Sequence, residues 1–238
     1  GGGDGTVTEV ASELVNTDIK LGILPLGTAN ALCHVLYGIK NKLIPVDIAC
    51  DAILQNKSTA IDTVHCNEKL MLLMLGIGFE HEMIEYAERD EKNKDGQFAY
   101  LKGFLGAVNE GEGRDIIIRV NEGKAQHITI SSLAVANTTP FTSLLAQSNG
   151  RESATDKKLH ITYIPHSEDA IYKMLSISQL ALSGMIGNLN TEQVSYIKAK
   201  KVTLSSDQDI PYVIDGELFS DRNLEIEIEP QSLLVLIP

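Results

Sequence analysis

Apolar positions along the chain change their period once, near residue 58. Before that point they recur at helical spacing: Val7, Val10, Ala11, Leu14 and Val15 mark one face of a helix that starts at Thr6. Residues 20–24 are a short apolar run ended by Pro25, which predicts a buried strand. After Gly27 the helical pattern returns over 28–37. Pro45 precedes a third helix, with Val46, Ala49, Cys50, Ile53 and Leu54 on its inner face. Helices alternating with a strand predict part of a parallel α/β layer.

Beyond residue 58 the dominant period is two. Segments 60–65 and 70–75 flank Asn67-Glu68, and segments 115–120 and 125–130 flank Asn121-Glu122-Gly123; both are hairpin patterns. Further strands are predicted over 132–136, 159–164, 194–204, 212–214, 224–228 and 233–237. Residues 81–92 and 168–182 read as helices, 93–96 as a loop and 98–108 as helical or irregular. Many short strands with polar turns predict an antiparallel β-sandwich. The expected fold class is α/β plus all-β. An incomplete α/β domain spans 1–58, and a β-sandwich domain spans 59–238.

Composition narrows the function classes. The 238 residues can bury a substantial core. A formal net charge of −12 disfavours nucleic acid as a partner and also long-lived polybasic docking on anionic lipid. Cys33, Cys50 and Cys66 lack metal-type spacing and read as free buried thiols of a reducing cytoplasm. No apolar run reaches the length of a membrane-spanning helix. His34, His65, His81, His127, His160 and His166 show no metal-ligand spacing and read as packing or surface residues.

Chemistry concentrates in a few short segments. Gly1-Gly2-Gly3-Asp4-Gly5-Thr6 is a glycine-rich turn that opens a helix. Such a turn lets backbone approach a phosphate closely, with N–H groups and the helix dipole aimed at the anion. Thr6 offers a hydroxyl, whereas Asp4 meets a phosphate only through a cation, a proton or water. Pro25-Leu26-Gly27-Thr28-Ala29-Asn30 follows, with Thr28 and Asn30 as nucleotide contacts or as a cap for the next helix. Ile214-Asp215-Gly216-Glu217 places two acids around a glycine at a strand end. On a continuing strand both would share one face and could divide acid–base work; Asp-Gly is equally a common turn dipeptide.

The glycine-rich turn together with Pro-Leu-Gly-Thr-Ala-Asn and Asp-Gly-Glu resembles the diacylglycerol kinase catalytic family, bacterial-type lipid kinases related to sphingosine kinases. The resemblance implies a two-domain fold of the NAD-kinase and diacylglycerol-kinase type, with the active site between the domains. It implies ATP and Mg²⁺ as cofactors and a lipid such as diacylglycerol as substrate. Gly2, Gly3, Asp4, Gly5, Thr6, Thr28 and Asn30 would bind the nucleotide, Glu217 would be the general base, and Asp215 would support it. Asp156 matches the first acid of the family's Asp-Gly-x-Leu-Asp segment, a structural Mg²⁺ ligand. Lys157 stands there for the usual Gly and His160 for the second acid, so Asp156 is alternatively a turn residue. Ala31 stands where many bacterial members carry Asp.

Gly76-Ile77-Gly78-Phe79-Glu80 resembles a family turn that shapes the lipid side of the cleft, or is a strand end with a bulge. Met174, Leu175, Ile177, Leu180, Ala181, Leu182 and Met185 read as a core-facing helix, with lipid contact as the alternative. In the family a βαβ unit precedes the glycine-rich turn. The chain is therefore expected to be part of a longer protein and to bind ATP weakly by itself. Its expected setting is the cytoplasm, with transient contact at a membrane surface; a homodimer is also expected. Two alternatives stand beside a lipid kinase: a nucleotide kinase of the NAD-kinase type, and a lipid-binding member without catalysis.

Overall fold

A computed structural model describes residues 1–38, 46–78, 81, 113–138, 154–169 and 194–238. The expected elements over 81–92, 93–96, 98–108 and 168–182, and the apolar cluster 174–185, lie outside these residues save for their ends. Phe79 and Glu80 also lie outside them.

Among the described residues three helices precede the strands. Helix α1 spans Asp4–Ser12 and buries Val7 and Ala11, one turn apart, while Val10 is exposed. Helix α2 spans Ala31–Tyr37. It starts later than the periodicity suggests because Asn30 takes a left-handed conformation with φ 49°. Its carboxamide instead grips the Gly27 backbone, accepting from the Gly27 N–H and donating to the Gly27 carbonyl, both at 2.8 Å. Helix α3 spans Val46–Gln55 and buries Ala49 and Ala52, not Cys50 and Leu54. The inner face is thus a stripe of small residues, and Cys50 is an exposed thiol rather than a buried one. Burial pushes the Cys33 and Cys66 thiols up to about 12.

Residues 20–24 are not a ladder strand. Leu21 bridges Val235 in parallel, and Pro25 bridges Gly2. Between these points Gly22 and Ile23 have no ladder partner among the described residues, so the segment is held at its ends. Leu21 and Ile23 are nevertheless buried, as the apolar run predicts.

Nine strands follow among the described residues: β1 (Ser58–Cys66), β2 (Lys69–Met71), β3 (Met74–Gly78), β4 (Arg114–Val120), β5 (Gln126–Ala136), β6 (Leu159–Pro165), β7 (Ser195–Ala199), β8 (Lys201–Ile214) and β9 (Glu217–Leu236). Both hairpins form where predicted, with Cys66 opposite Lys69 and Ile118 opposite Gln126. Every ladder is antiparallel, and the strands form one hydrogen-bonded sheet in the order β2-β1-β9-β8-β3-β5-β6-β7. Strand β4 pairs with both β5 and β8, so β3, β5, β4 and β8 close into a small barrel-like ring. The expected two-sheet sandwich is therefore not what the ladders show. Closure satisfies edges that a sandwich would leave open.

The core has two parts. Inside the curled sheet, Leu75, Ile77, Ile130, Leu133, Ile161 and Tyr212 are almost wholly buried. On β9, buried Leu224, Ile226 and Ile228 alternate with exposed Glu225 and Glu227, the period-two signature of a strand with one dry face. The second part joins α1 and α2 to the sheet through Val7, Ala11, Ile23, Leu32, Leu233 and Val235. The last strand thus packs against the helices near the start of the chain.

Candidate active site

The two glycine-containing turns meet. The Gly2 N–H donates to the Leu24 carbonyl at 3.2 Å, and the Leu26 N–H donates to the Gly2 carbonyl at 3.1 Å. Gly3 then lies so close to Gly27 that a Cβ built on Gly27 would fall well inside 3.0 Å of the Gly3 Cα. A Cβ on Gly2 would lie 2.8 Å from the Thr6 Cβ, so Thr6 folds back over the turn. These close approaches are the physical reason for glycine at these positions. Thr28 is exposed on the second turn, beside Asn30 with its side chain on Gly27.

Helix α1 starts here without a side-chain cap. The N–H groups of a helix's first turn have no intrahelical partners, so the start of α1 presents donors and a positive dipole end. Asp4, the first residue of α1, accepts from the Leu32 N–H at 3.3 Å. It therefore serves the start of α2, whose own N-cap, Asn30, makes no side-chain cap.

Opposite α1 stands the β8–β9 hairpin. Its two-residue turn is Asp215-Gly216, with φ 49° and 99°, the all-positive pattern of a primed hairpin turn. The chain reverses at Asp215, so Asp215 and Glu217 do not share a strand face; the dipeptide is a turn, with Ile214 paired to Glu217. Yet the aspartate is no solvent-facing loop residue. Its carboxylate accepts the N–H groups of Leu72 at 2.7 Å, Leu73 at 3.0 Å and Met74 at 2.9 Å. Burial pushes this carboxyl up to about 6, the three amides pull it back, and the charge on Asp4 adds to the rise. Asp215 thus acts on its surroundings by holding the bend between β2 and β3.

Glu217 is exposed and faces the glycine-rich turn: a Cβ on Gly5 would lie 3.6 Å from its Oε1. The space between is a cleft of about 450 Å³. Gly5, Thr8 and Glu9 of α1 line one side, and Asp215, Glu217 and Phe219 line the other. Glu68, Lys69 and Leu70 of the β1–β2 hairpin close its end. The structure therefore brings Gly5, Asp215 and Glu217 to one cleft, with the paired turns of Gly2, Gly3, Asp4, Thr6, Thr28 and Asn30 beside it. A larger cavity of about 800 Å³ lies between β4, β5 and β8. None of the expected site residues lines it, and size alone does not identify chemistry.

Asp156 is elsewhere. Its Oδ1 accepts the Lys158 N–H at 3.1 Å, and its Oδ2 meets His160 Nε2 at 2.7 Å. The buried His160 ring also bonds the Tyr196 hydroxyl through Nδ1. Lys157, at φ 62°, takes the left-handed turn its glycine counterpart would take freely. No group of three or more His, Cys, Asp or Glu gathers around a cation position among the described residues. The imidazole occupies the acid's partner position, and these residues do not fit a structural Mg²⁺.

Two contributors have no motif. Asn137, wholly buried, donates through Nδ2 to the Asp62 and Leu72 carbonyls, and the Leu73 carbonyl accepts the Asn137 N–H. It grips from the carbonyl side the bend that Asp215 grips from the amide side. Lys69 reaches the cleft because Asn67-Glu68 turns the chain there. The hairpin is legible in the sequence; its position beside Glu217 is not.

Residues 1–66 match the family model of the diacylglycerol kinase catalytic domain, so the resemblance carried by the motifs holds. An uncharacterized protein of Synechocystis is 35% identical over 100% of this chain and 54% of its own length. A protein of Streptococcus pneumoniae named "Putative lipid kinase" is 26% identical, over 98% of this chain and 76% of its own. The chain thus spans about half the length of the first relative and three quarters of the second. In fold it is similar to a crystal structure titled as a putative diacylglycerol kinase from Bacillus anthracis, with TM-score 0.73 and 19% identity over 98% of this chain and 75% of that one. It is also similar to yeast NADH kinase, with TM-score 0.53 and 11% identity over 100% of this chain and 59% of that one. Among the described residues no helix is long and apolar enough to cross a membrane.

Proposed function

We propose that this chain carries the acceptor-activating half of an ATP-dependent lipid kinase. The observation that carries the reading is the placement of the Glu217 carboxylate against Gly5, at the donor-rich start of α1. A phosphate held by first-turn N–H groups of α1 would have a carboxylate across a narrow gap, and an acceptor hydroxyl fits between them.

In the proposed step the lipid hydroxyl gives its proton to a Glu217 oxygen. The lipid hydroxyl oxygen forms a bond to the γ-phosphorus, and the bond from that phosphorus to the β,γ-bridging oxygen breaks, its electron pair leaving with ADP. ATP enters as its Mg²⁺ complex, so the cation arrives with the substrate and neutralises phosphate charge. Gly2, Gly3 and Gly5 keep side chains out of the phosphate path, and Thr6, Thr28 and Asn30 stand within the two turns to orient it. Asp4 braces α2. Asp215 is the positioning residue: by pinning the bend at Leu72–Met74 it fixes the turn that presents Glu217. Lipid reaches the cleft by transient contact with a membrane surface.

The test is transfer of labelled γ-phosphate from ATP to lipids in mixed micelles, comparing the protein with Glu217→Gln. A positioned base contributes about 10²–10⁴-fold, and loss of that order in the variant is expected. Transfer to NAD instead would favour a nucleotide kinase. Lipid binding with no transfer by the wild type would favour a binding protein without catalysis.

A further inference from the structure

Four carboxylates, Glu9, Glu68, Asp215 and Glu217, line the cleft, and among the described residues lining it Lys69 is the one cation. An acidic cleft repels a phosphate, so a phosphotransferase needs a compensating charge there. The Lys69 ammonium is held over the Phe219 ring, 4.8 Å from its centroid, and lies 3.7 Å from Asp221 Oδ2. Asp221 is itself fixed, because the hydroxyl of the wholly buried Tyr212 donates to its Oδ2 at 2.6 Å.

The Lys69–Asp221 separation exceeds hydrogen-bonding distance, and the lysine side chain is 35% exposed. Asp221 therefore does not consume its donors. Ion pairs this exposed add little to folding, so stability gives a weak reason for the arrangement. Phe219 and Leu70 also line the cleft, which places the cation next to apolar surface suited to a lipid acceptor.

We infer that Lys69 binds the phosphate of the phosphorylated lipid and meets the phosphoryl group as it is transferred. The inference deepens the lipid-kinase reading and rests on it. The class of ligand is a phosphate monoester on an apolar alcohol; the unphosphorylated alcohol does not need the lysine.

The experiment measures calorimetric binding of dihexanoyl phosphatidic acid and of dihexanoylglycerol to the wild type, Lys69→Met and Lys69→Arg. Phosphotransfer kinetics and melting temperatures are recorded on the same samples. The expected result is a roughly tenfold or greater loss of phosphatidic acid affinity in Lys69→Met, consistent with removal of one charged hydrogen-bond donor. Dihexanoylglycerol affinity stays within about twofold, kcat falls while the lipid KM holds, and Lys69→Arg recovers most of both. Lys69→Gln takes the place of the methionine variant if the latter melts early. Unchanged phosphatidic acid affinity in a folded Lys69→Met or Lys69→Gln protein overturns the inference, as does equal loss of both ligands. A wild type that binds phosphatidic acid through Lys69 yet transfers no phosphate sinks the kinase reading and leaves the Lys69 site standing. An active kinase indifferent to Lys69 does the reverse.

Discussion

Replacing Gly27 by alanine should damage folding far more than the same change at Gly5, although both glycines belong to the same cluster of turns. A Cβ on Gly27 would fall well inside 3.0 Å of the Gly3 Cα and 2.9 Å from Asn30 Oδ1. Carbon atoms pack at about 3.5–4.0 Å, and the atom in the way is backbone, so no rotamer change relieves the clash. The two turns must part by more than about half an ångström. That stretches the Gly2–Leu24 and Leu26–Gly2 bonds at 3.2 and 3.1 Å and the Asn30 clasp on Gly27. Overpacking costs about 1–3 kcal/mol and each weakened backbone bond about 0.5–1.5 kcal/mol, so a loss of roughly 2–5 kcal/mol is expected. For a chain this size that lowers the melting temperature by roughly 5–15 °C. A methyl on Gly5 meets only the Glu217 Oε1, at an ordinary 3.6 Å, and lies within α1, where alanine is favoured over glycine by roughly 0.5–1 kcal/mol. Gly5→Ala should melt at or slightly above the wild type. On the proposed reading it should nonetheless lose phosphotransfer about tenfold or more, because the methyl would stand between Glu217 and the phosphate. Thermal unfolding by circular dichroism, with the micelle assay beside it, reads both effects. A Gly27→Ala protein melting within about 2 °C of the wild type would refute the packing argument.

Asp215 predicts a pH dependence. Its carboxyl sits at about 6, above the ordinary 3.8, so the folded state binds its proton more tightly than the unfolded state. The contribution to stability is complete below about 4 and is lost as pH rises through about 6, a change of about 3 kcal/mol. Urea unfolding of wild type minus Asp215→Asn should therefore fall by about that amount between pH 4 and pH 7; a flat difference contradicts the burial of the carboxylate. The Asp156–His160 pair predicts indifference to divalent cations. Melting temperature in the absence of nucleotide should be the same with chelator as with millimolar Mg²⁺, whereas His160→Ala should cost about 1–3 kcal/mol by removing the two hydrogen bonds of the buried ring to half-buried Asp156 and Tyr196. A clear upward shift with Mg²⁺ would point to a cation site that these residues do not provide.

What could be read from the sequence shares one property, which is that the cause lies close in the chain. The alternation Leu224-Glu225-Ile226-Glu227-Ile228 announces a strand with one dry face, and Asn67-Glu68 announces its hairpin. The two glycine-containing turn motifs, at 1–6 and 25–30, are also local enough to name. The run 70–75 reads as one strand but splits at Leu72–Leu73, because the carboxylate that takes those amides comes from Asp215, 143 residues away for Leu72. Pairing of β4 with β8, Ile117 opposite Ser205, turns an expected sandwich into a closed ring, and no local period encodes that closure. Helix α3 buries alanines and exposes Leu54 because neighbouring segments, not its own sequence, decide which side is covered.

The same division explains why the Asp-Gly-Glu segment resists a purely local interpretation. Read alone it is either a surface turn or a pair of catalytic acids, and the structure makes it a turn whose two acids have separate mechanical consequences. The left-handed conformation at Asp215 and Gly216 reverses the chain within two residues. Fixing it from outside requires a partner that does not move, and three amides of the Leu72–Met74 bend supply one. Asn137 anchors that bend in turn through the Leu72 carbonyl, so the support runs from β5 through the bend to the turn. Glu217, the next residue, gains a fixed direction toward Gly5 while staying exposed, as the proposed base requires. If Asp215 is a positioning group, Asn137→Ala should lower phosphotransfer without touching the cleft. Rescue of that loss by Asn137→Gln, but not by Asn137→Leu, would separate support of the bend from mere filling of space.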